Sequence, residues 1–170
     1  MPPTDDPVIR ALFAFWEQAR GGRDMPAKED IDPLRLGRKL LPHILLIDLA
    51  EGGRRLRYRL CGTAVAEAAG ADLAGMHVDE LNPNPAYTGY IDSLYRRCIE
   101  ARRPVYSESR YLAHKSSGLR LTRRLICPLA DASGTIDRFI SAQTFDAVGV
   151  GLAPTVTVAD DFRHGPIEVL

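Results

Sequence analysis

The sequence is poor in cysteine, has no excess charge of either sign and contains no long apolar segment. Its three cysteines, Cys61, Cys98 and Cys127, are far apart and form no C-x-x-C pair. An odd number of cysteines, without a basic and apolar leader at the N-terminus, predicts reduced thiols in the cytoplasm. No apolar run approaches the roughly 18 residues that a helix needs to span a bilayer, so we expect no membrane contact.

The charges balance, with 22 Lys and Arg against 22 Asp and Glu, a net charge of +0. Nucleic-acid binding relies on excess positive charge, so this balance argues against it. The histidines show no metal-ligand spacing and form no cluster with cysteine, which predicts no metal site. With 170 residues, 45% apolar and 26% charged, the composition is that of one ordinary globular domain with extensions.

The hydrophobic pattern predicts an α+β chain of helices followed by strands. Asp6 and Pro7 are typical of a helix start, and apolar residues at helical spacing continue to Arg20. A second, short helix is predicted to begin at Pro33. The other predicted elements are a hairpin of His43–Leu49 and Leu56–Leu60, helices Ala64–Ala69 and Pro85–Ala101, and strands Val105–Leu112, Leu119–Ala130 and Asp137–Phe145.

A series of short motifs gives a more specific indication than the predicted elements. Tyr58 to Leu81 runs from a strand through Cys61-Gly62-Thr63 and an Ala-rich helix into a G-x-x-L-x-G turn. The other motifs, in chain order, are Trp16, Arg20-Gly21-Gly22-Arg23, Met25-Pro26, Asp30-Ile31-Asp32-Pro33, Leu41-Pro42-His43, Leu46-Ile47-Asp48 and Cys127-Pro128-Leu129. From about Val8 to Asp146 this series resembles a family of stand-alone bacterial PAS proteins, common in alphaproteobacteria.

The resemblance implies a PAS fold, a five-stranded antiparallel sheet with a helical insert and an N-terminal helical extension. It divides the chain into an extension over residues 1–42, a PAS domain over 43–146 and a tail over 147–170. It also implies dimerisation and a regulatory role, but no particular ligand or reaction. Our leading hypothesis is a homodimeric, non-catalytic regulator that binds a small ligand or a signalling protein partner. The flavin-binding Asn-Cys-Arg-Phe-type loop is missing, and helix 85–101 lacks the histidine of haem-binding modules, so we expect no cofactor.

Arginines that alternate with apolar residues are the strongest candidates for ligand contacts. Such a guanidinium either extends to solvent while its stem covers apolar surface, or offers its fork to a carboxylate of a ligand or partner. In the PAS fold, the helical region and the strand that follows it border the pocket. Residues of these segments are therefore further candidates for ligand binding, although they are also compatible with a purely structural role in the core or on the surface. The predicted ligand-binding residues are Arg59, His77, Tyr87, Tyr90, Tyr106, Arg123 and Arg124.

The first predicted helix carries more aromatic residues than one face can bury. Phe13, Phe15 and Trp16 cannot all point inward from a single helix, and an exposed aromatic patch is typical of an interface. We therefore expect these three residues to form the homodimer interface.

Two other functions stay open on the sequence. One is a small cone-shaped α+β enzyme of isomerase or dehydratase type, for which His43 and Asp48 are the only indication. The other is a nucleic-acid-binding module that uses the arginine-rich strands, against which the zero net charge argues.

Overall fold

The computed structural model describes residues 1–81, 84–113, 119–146, 156–157 and 164–170. The helices within these ranges are α1 (Pro7–Arg20), α2 (Gly37–Leu40), α3 (Thr63–Ala69) and α4 (Pro85–Ala101). The strands are β1 (Ile44–Ala50), β2 (Arg55–Cys61), β3 (Val105–Ala113), β4 (Leu119–Ala130), β5 (Ile136–Phe145), β6 (Val156–Thr157) and β7 (His164–Val169). No helix in the described part of the chain is both long and apolar enough to cross a membrane.

The strands form one antiparallel sheet in the order β2-β1-β5-β4-β3-β6, with β7 also paired to β3. The predicted antiparallel sheet with a helical insert is confirmed, but it has more than five strands. Without β6 and β7, strand β3 would leave its backbone N–H and C=O groups unpaired at the sheet edge. These two strands come from the C-terminal tail, of which residues 147–155 and 158–163 lie outside the described part.

Helix α1 matches its prediction and covers one face of the sheet. Asp6 accepts a hydrogen bond from the backbone N–H of Val8 at 2.9 Å, and the helix ends before Gly21 at φ 57°. Its buried residues include Trp16, whose indole N–H donates to the Pro128 carbonyl on β4 at 2.9 Å. We call the face under α1 the outer face; α4 packs against β3 and β4 on the opposite, inner face.

The chain between α1 and β1 is less helical than predicted. The segment from Pro33 forms a 3-10 turn to Leu36, one α-helical turn and a second 3-10 turn over Leu41–His43. Gly37, at φ 74°, interrupts what would otherwise be one helix. Gly62 anchors the end of β2 against this region, because a Cβ atom there would lie 2.3 Å from the Pro42 carbonyl oxygen.

Candidate functional site

Polar side chains on three neighbouring strands meet on the inner face of the sheet. Ser107 on β3 lies directly opposite Arg124 on β4, which is itself opposite Gln143 on β5. Ser109 and Thr122 form the next pair along β3 and β4. Because side chains alternate along a strand, all five share one face. None is more than 9% exposed, so the sheet carries a polar patch inside the core.

Arg124 is the charged member of this patch and is only 6% exposed. Its guanidinium donates to the Ser109 hydroxyl at 2.8 Å and to the Tyr87 hydroxyl on α4 at 3.2 Å. Among the described residues no carboxylate forms an ion pair with it, and the titratable groups near it are tyrosines, which are neutral at pH 7. A buried guanidinium stays charged, and leaving water costs several kcal/mol unless an opposite charge compensates.

Two further tyrosines, Tyr58 on β2 and Tyr95 on α4, lie close enough to Arg124 to sense its charge. Burial raises the pKa of both hydroxyls, and the positive charge of Arg124 offsets part of that rise. Tyr95 also packs edge-on against Phe139 of β5, with ring centroids 5.0 Å apart. In the part of the chain that the structure describes, neither hydroxyl has a hydrogen-bond partner, and neither does the buried Ser107 hydroxyl.

The cluster on the inner face therefore contains hydrogen-bond donors in excess and no acid among the described residues. Such a combination attracts a group that is negatively charged and rich in acceptors, of which a carboxylate is the simplest. We call this cluster the inner-face site and define it as Arg124, Ser107, Ser109, Tyr58, Tyr87 and Tyr95.

The structure places Arg123 and Tyr106, both predicted ligand contacts, on the outer face. The Arg123 guanidinium lies 3.5 Å from Asp146, 3.6 Å from Glu108 and 4.0 Å from Asp6. The Tyr106 hydroxyl donates to the same Glu108 carboxylate. Arg123 is thus compensated by acids of its own chain, and the sheet separates it from the inner-face site.

Arg59 and His77, also predicted contacts, lie on the surface beside β2. The side chain of Arg59 is 57% exposed, and its guanidinium is 3.5 Å from Asp48. His77 Nδ1 lies 3.4 Å from a carboxylate oxygen of Glu80. Arg55 donates to that same carboxylate at 2.8 Å, and this hydrogen bond lowers the Glu80 pKa. The fold does not bring Arg59 or His77 to Arg124.

Tyr90, the remaining predicted contact, lies at the border of the inner-face site. Its hydroxyl is 3.4 Å from the backbone carbonyl of Glu108. Its ring stacks on His164 of β7, with centroids 4.8 Å apart and planes inclined by 12°. Tyr90 therefore connects α4 to β7, next to the inner-face site.

The aromatic residues predicted for a dimer interface have different environments. Trp16 has no exposed surface, since it is enclosed between α1 and β4 of its own chain. Its side chain therefore cannot contact a second subunit directly. Phe13 and Phe15 are partly buried and pack against the edge of the core, which leaves them as the aromatics that α1 can present to a partner.

His43 and Asp48, the indication of an enzyme, do not form a pair. His43 Nδ1 lies 3.2 Å from the Gln143 carbonyl, whereas Asp48 accepts a hydrogen bond from Arg138 at 2.6 Å. His43 precedes β1 and Asp48 lies within it. The two residues are five positions apart, which corresponds to about 16 Å at the rise of a strand. This pair does not provide the adjacent acid and base that the enzyme hypothesis requires.

Sequence reasoning missed several members of the inner-face site. Ser107 and Ser109 alternate with larger residues in the predicted strand, a period-two pattern that could have indicated a polar stripe on a buried face. No sequence pattern singles out Tyr58 beyond its place in a motif, or Tyr95 beyond its place on α4. Their proximity to Arg124 depends on how the strands and α4 come together, which no local pattern reveals.

The family model of the PAS domain matches residues 4–143 of this chain. The chain therefore belongs to the PAS domain family, and the fold and family predicted from the motifs are confirmed. No curated protein matches the sequence.

Solved structures similar to this chain include two of VqmA and one PAS domain. VqmA bound to DPO has 18% sequence identity and a TM-score of 0.50, over 66% of this chain and 56% of that one. The complex of Vibrio cholera VqmA with ligand and DNA has 17% identity and a TM-score of 0.50, over 74% and 60%. The PAS domain from Colwellia psychrerythraea has 18% identity and a TM-score of 0.48, over 66% and 96%. The chain thus spans little more than half of VqmA, and the likeness concerns the fold.

Proposed function

We propose that this protein is a sensory PAS domain that binds a small carboxylate-bearing ligand at the inner-face site and has no catalytic activity. The observation that carries the proposal is the environment of Arg124, buried to 6% exposure between Ser109 and Tyr87 and without an acid among the described residues. A ligand carboxylate would supply the missing charge and match the planar guanidinium with two parallel hydrogen bonds.

The regulatory step follows from where the ligand binds. Arg124 donates to Tyr87 on α4 and to Ser109 on β3, so a carboxylate at Arg124 would bind beside the contact that joins helix and sheet. A ligand that favours one arrangement of α4 shifts the population of the chain toward it. We propose that a signalling partner recognises this difference in the position of α4. We also propose that the protein is cytoplasmic and consists of an extension over 1–42, a PAS domain over 43–146 and a tail over 147–170.

Nucleic acid is not part of the proposal, although DNA is present in one VqmA complex. This chain matches 60% of that VqmA chain, and its net charge is +0. A domain without excess positive charge has little sequence-independent affinity for phosphates. The partners that we propose are a second copy of the chain, a small ligand and a signalling protein, and we propose no cofactor.

A thermal-shift screen of small monocarboxylates tests the ligand proposal on the full chain. At a ligand concentration 100 times the dissociation constant, we expect a stabilisation of about 2.7 kcal/mol, or roughly 5–10 °C for a chain of this size. The increase should be lost in Arg124→Ala and in the longer Arg124→Met, and retained in Arg123→Ala as the matched control. If no carboxylate stabilises the wild-type protein, the proposal is wrong.

Light scattering tests the dimer part of the proposal. We expect a dimer at high micromolar concentration and a shift toward monomer in Phe15→Asp, because a charge at a partly buried aromatic position opposes burial by a second subunit. A wild-type monomer at that concentration would overturn the dimer while leaving the ligand site in place.

A further inference from the structure

The inner-face site has more hydrogen-bond donors than a simple carboxylate can satisfy. An arginine carries five N–H donors, so about three remain on Arg124 after its bonds to Ser109 and Tyr87. Three hydroxyls in the site, those of Ser107, Tyr58 and Tyr95, have no partner among the described residues. A carboxylate offers about four lone-pair sites, which leaves some of these donors without an acceptor.

Protein groups near the site supply neutral acceptors but no negative charge. Gln143, opposite Arg124 on β5, carries an amide oxygen that can accept a hydrogen bond. The Thr122 hydroxyl donates to the Thr144 carbonyl and accepts from the Gln143 amide at 3.1 Å. Glu108, which lies between Ser107 and Ser109 in the sequence, points to the outer face, where it accepts from Tyr106. No described acid is therefore available on the inner face to compensate an ammonium group, which would also be repelled by the guanidinium.

The hydroxyls that lack a partner lie near Arg124, where they could bind the same ligand as its guanidinium. Ser107 is directly opposite Arg124 in the β3–β4 register, and paired residues of this kind have Cβ atoms about 5 Å apart. Tyr58 on β2 and Tyr95 on α4 lie within range of the electrostatic influence of the same guanidinium. A ligand held by its carboxylate at Arg124 would thus present the adjoining carbon atom to these hydroxyls.

We infer that the inner-face site selects a monocarboxylate that carries a second, acceptor-only oxygen beside the carboxylate, as a 2-oxo acid does, and rejects the corresponding amino acid. The inference rests on the proposed function and narrows its ligand. Arg124 holds the carboxylate, and hydroxyls of Ser107, Tyr58 and Tyr95 donate to the oxo oxygen. A single guanidinium limits the ligand to one carboxylate, and the ammonium of an amino acid would be left uncompensated in the core.

Isothermal titration calorimetry with a matched set of ligands tests this selectivity on the full chain. The set is 2-oxobutanoate, butanoate and 2-aminobutanoate, each with its six-carbon homologue, so that only the substituent beside the carboxylate changes. We expect the 2-oxo acid to bind at least about tenfold more tightly than the unsubstituted acid, which corresponds to about 1.4 kcal/mol. The amino acid should show no heat of binding at the same concentrations.

Hydroxyl variants identify the donors that produce the preference. In Ser107→Ala, Tyr58→Phe or Tyr95→Phe, the ratio of 2-oxo acid affinity to butanoate affinity should fall several-fold in at least one variant, since one neutral hydrogen bond contributes about 1 kcal/mol. Tyr106→Phe, on the outer face, is the matched control and should leave the preference unchanged. Circular dichroism melts accompany each variant.

Different results would overturn the 2-oxo acid preference and the carboxylate-binding proposal. Equal binding of the acid and the 2-oxo acid, tighter binding of the amino acid, or a preference that survives in all three hydroxyl variants overturns the inference and leaves the carboxylate site intact. Binding of none of the carboxylates to the wild-type protein overturns both.

Discussion

Arg123 and Arg124 are consecutive residues of β4, yet the sheet gives them opposite environments. On the outer face, Arg123 lies within 4.0 Å of three carboxylates, those of Asp6, Glu108 and Asp146. On the inner face, Arg124 is 6% exposed and has only hydroxyl partners among the described residues. The charge of Arg123 is thus compensated by acids of the protein, whereas that of Arg124 has no acid beside it among the described residues.

The difference separates a structural role for Arg123 from the binding role that we propose for Arg124. The acids around Arg123 tie the first turn of α1 to the end of β5, since Asp6 also accepts a hydrogen bond from Thr144 at 2.7 Å. Arg124 donates hydrogen bonds to Ser109 on β3 and to Tyr87 on α4, but no acid among the described residues compensates its charge. A buried charge that lowers stability is typical of functional sites, where part of the folding free energy is given up for binding.

The largest effect is expected from Asp6→Ala on the outer face. Asp6 accepts hydrogen bonds from the backbone N–H groups of Val8 and Ile9 and from the Thr144 hydroxyl. Losing a helix cap and a buried hydrogen bond should lower the free energy of unfolding by about 2 kcal/mol, measured by urea denaturation. Asp5→Ala is the matched control and should change it by less than about 0.5 kcal/mol, because the Asp5 side chain is 97% exposed. Similar losses in both variants would contradict a structural role for the outer face.

The second prediction compares the two arginines directly in the absence of ligand. We expect Arg124→Met to raise the free energy of unfolding by about 1 kcal/mol, since it removes an uncompensated buried charge while keeping an unbranched apolar stem. Arg123→Met should lower it by about 1 kcal/mol, because it leaves three acids close together. Both values come from urea denaturation at neutral pH. A clear loss of stability in Arg124→Met would mean that Arg124 is structural and would weaken the ligand proposal.

The smallest effect concerns alkaline pH and the tyrosines of the inner face. Burial holds the pKa of Tyr58 and Tyr95 above the ordinary value of 10.0, so the folded chain keeps both phenol protons after the unfolded chain has lost them. Their contribution to stability is complete below pH 10 and declines as pH rises above it. At pH 10.5 each tyrosine should lower the free energy of unfolding by about 0.8 kcal/mol. In the double variant Tyr58→Phe and Tyr95→Phe, the free energy of unfolding should fall less steeply with pH. If the double variant loses stability above pH 10 as steeply as the wild-type protein, the two hydroxyls are exposed to solvent and the prediction is wrong.

Much of the fold could be predicted because its signals are local. The start of α1 is determined by Asp6 and Pro7, and its end by Gly21. Strand β7 was missed because its sequence, with Gly165 and Pro166 near its start, lacks the apolar alternation of the other strands. It is a strand because β3 offers an unpaired edge to it.

The candidate site was predictable only in part. Arg124 stood among the expected ligand contacts, but the sequence did not distinguish it from Arg123, since alternation along a strand shows that two residues face opposite sides without showing which side is the core. Tyr58, Tyr95 and Ser107 come from three elements that are far apart in the chain. No spacing rule connects such residues to a single guanidinium.

Local signals in the sequence sufficed for the family, the order of the strands up to β5 and the balance of charge, because motifs, caps and hydrophobic periodicity act over a few residues at a time. Which arginine is buried, which acids compensate its neighbour and which hydroxyls lie near it depend on tertiary contacts. These differ because the energy of a charge depends on everything within several ångströms of it. Folding brings those neighbours together from β2, β3, β4 and α4.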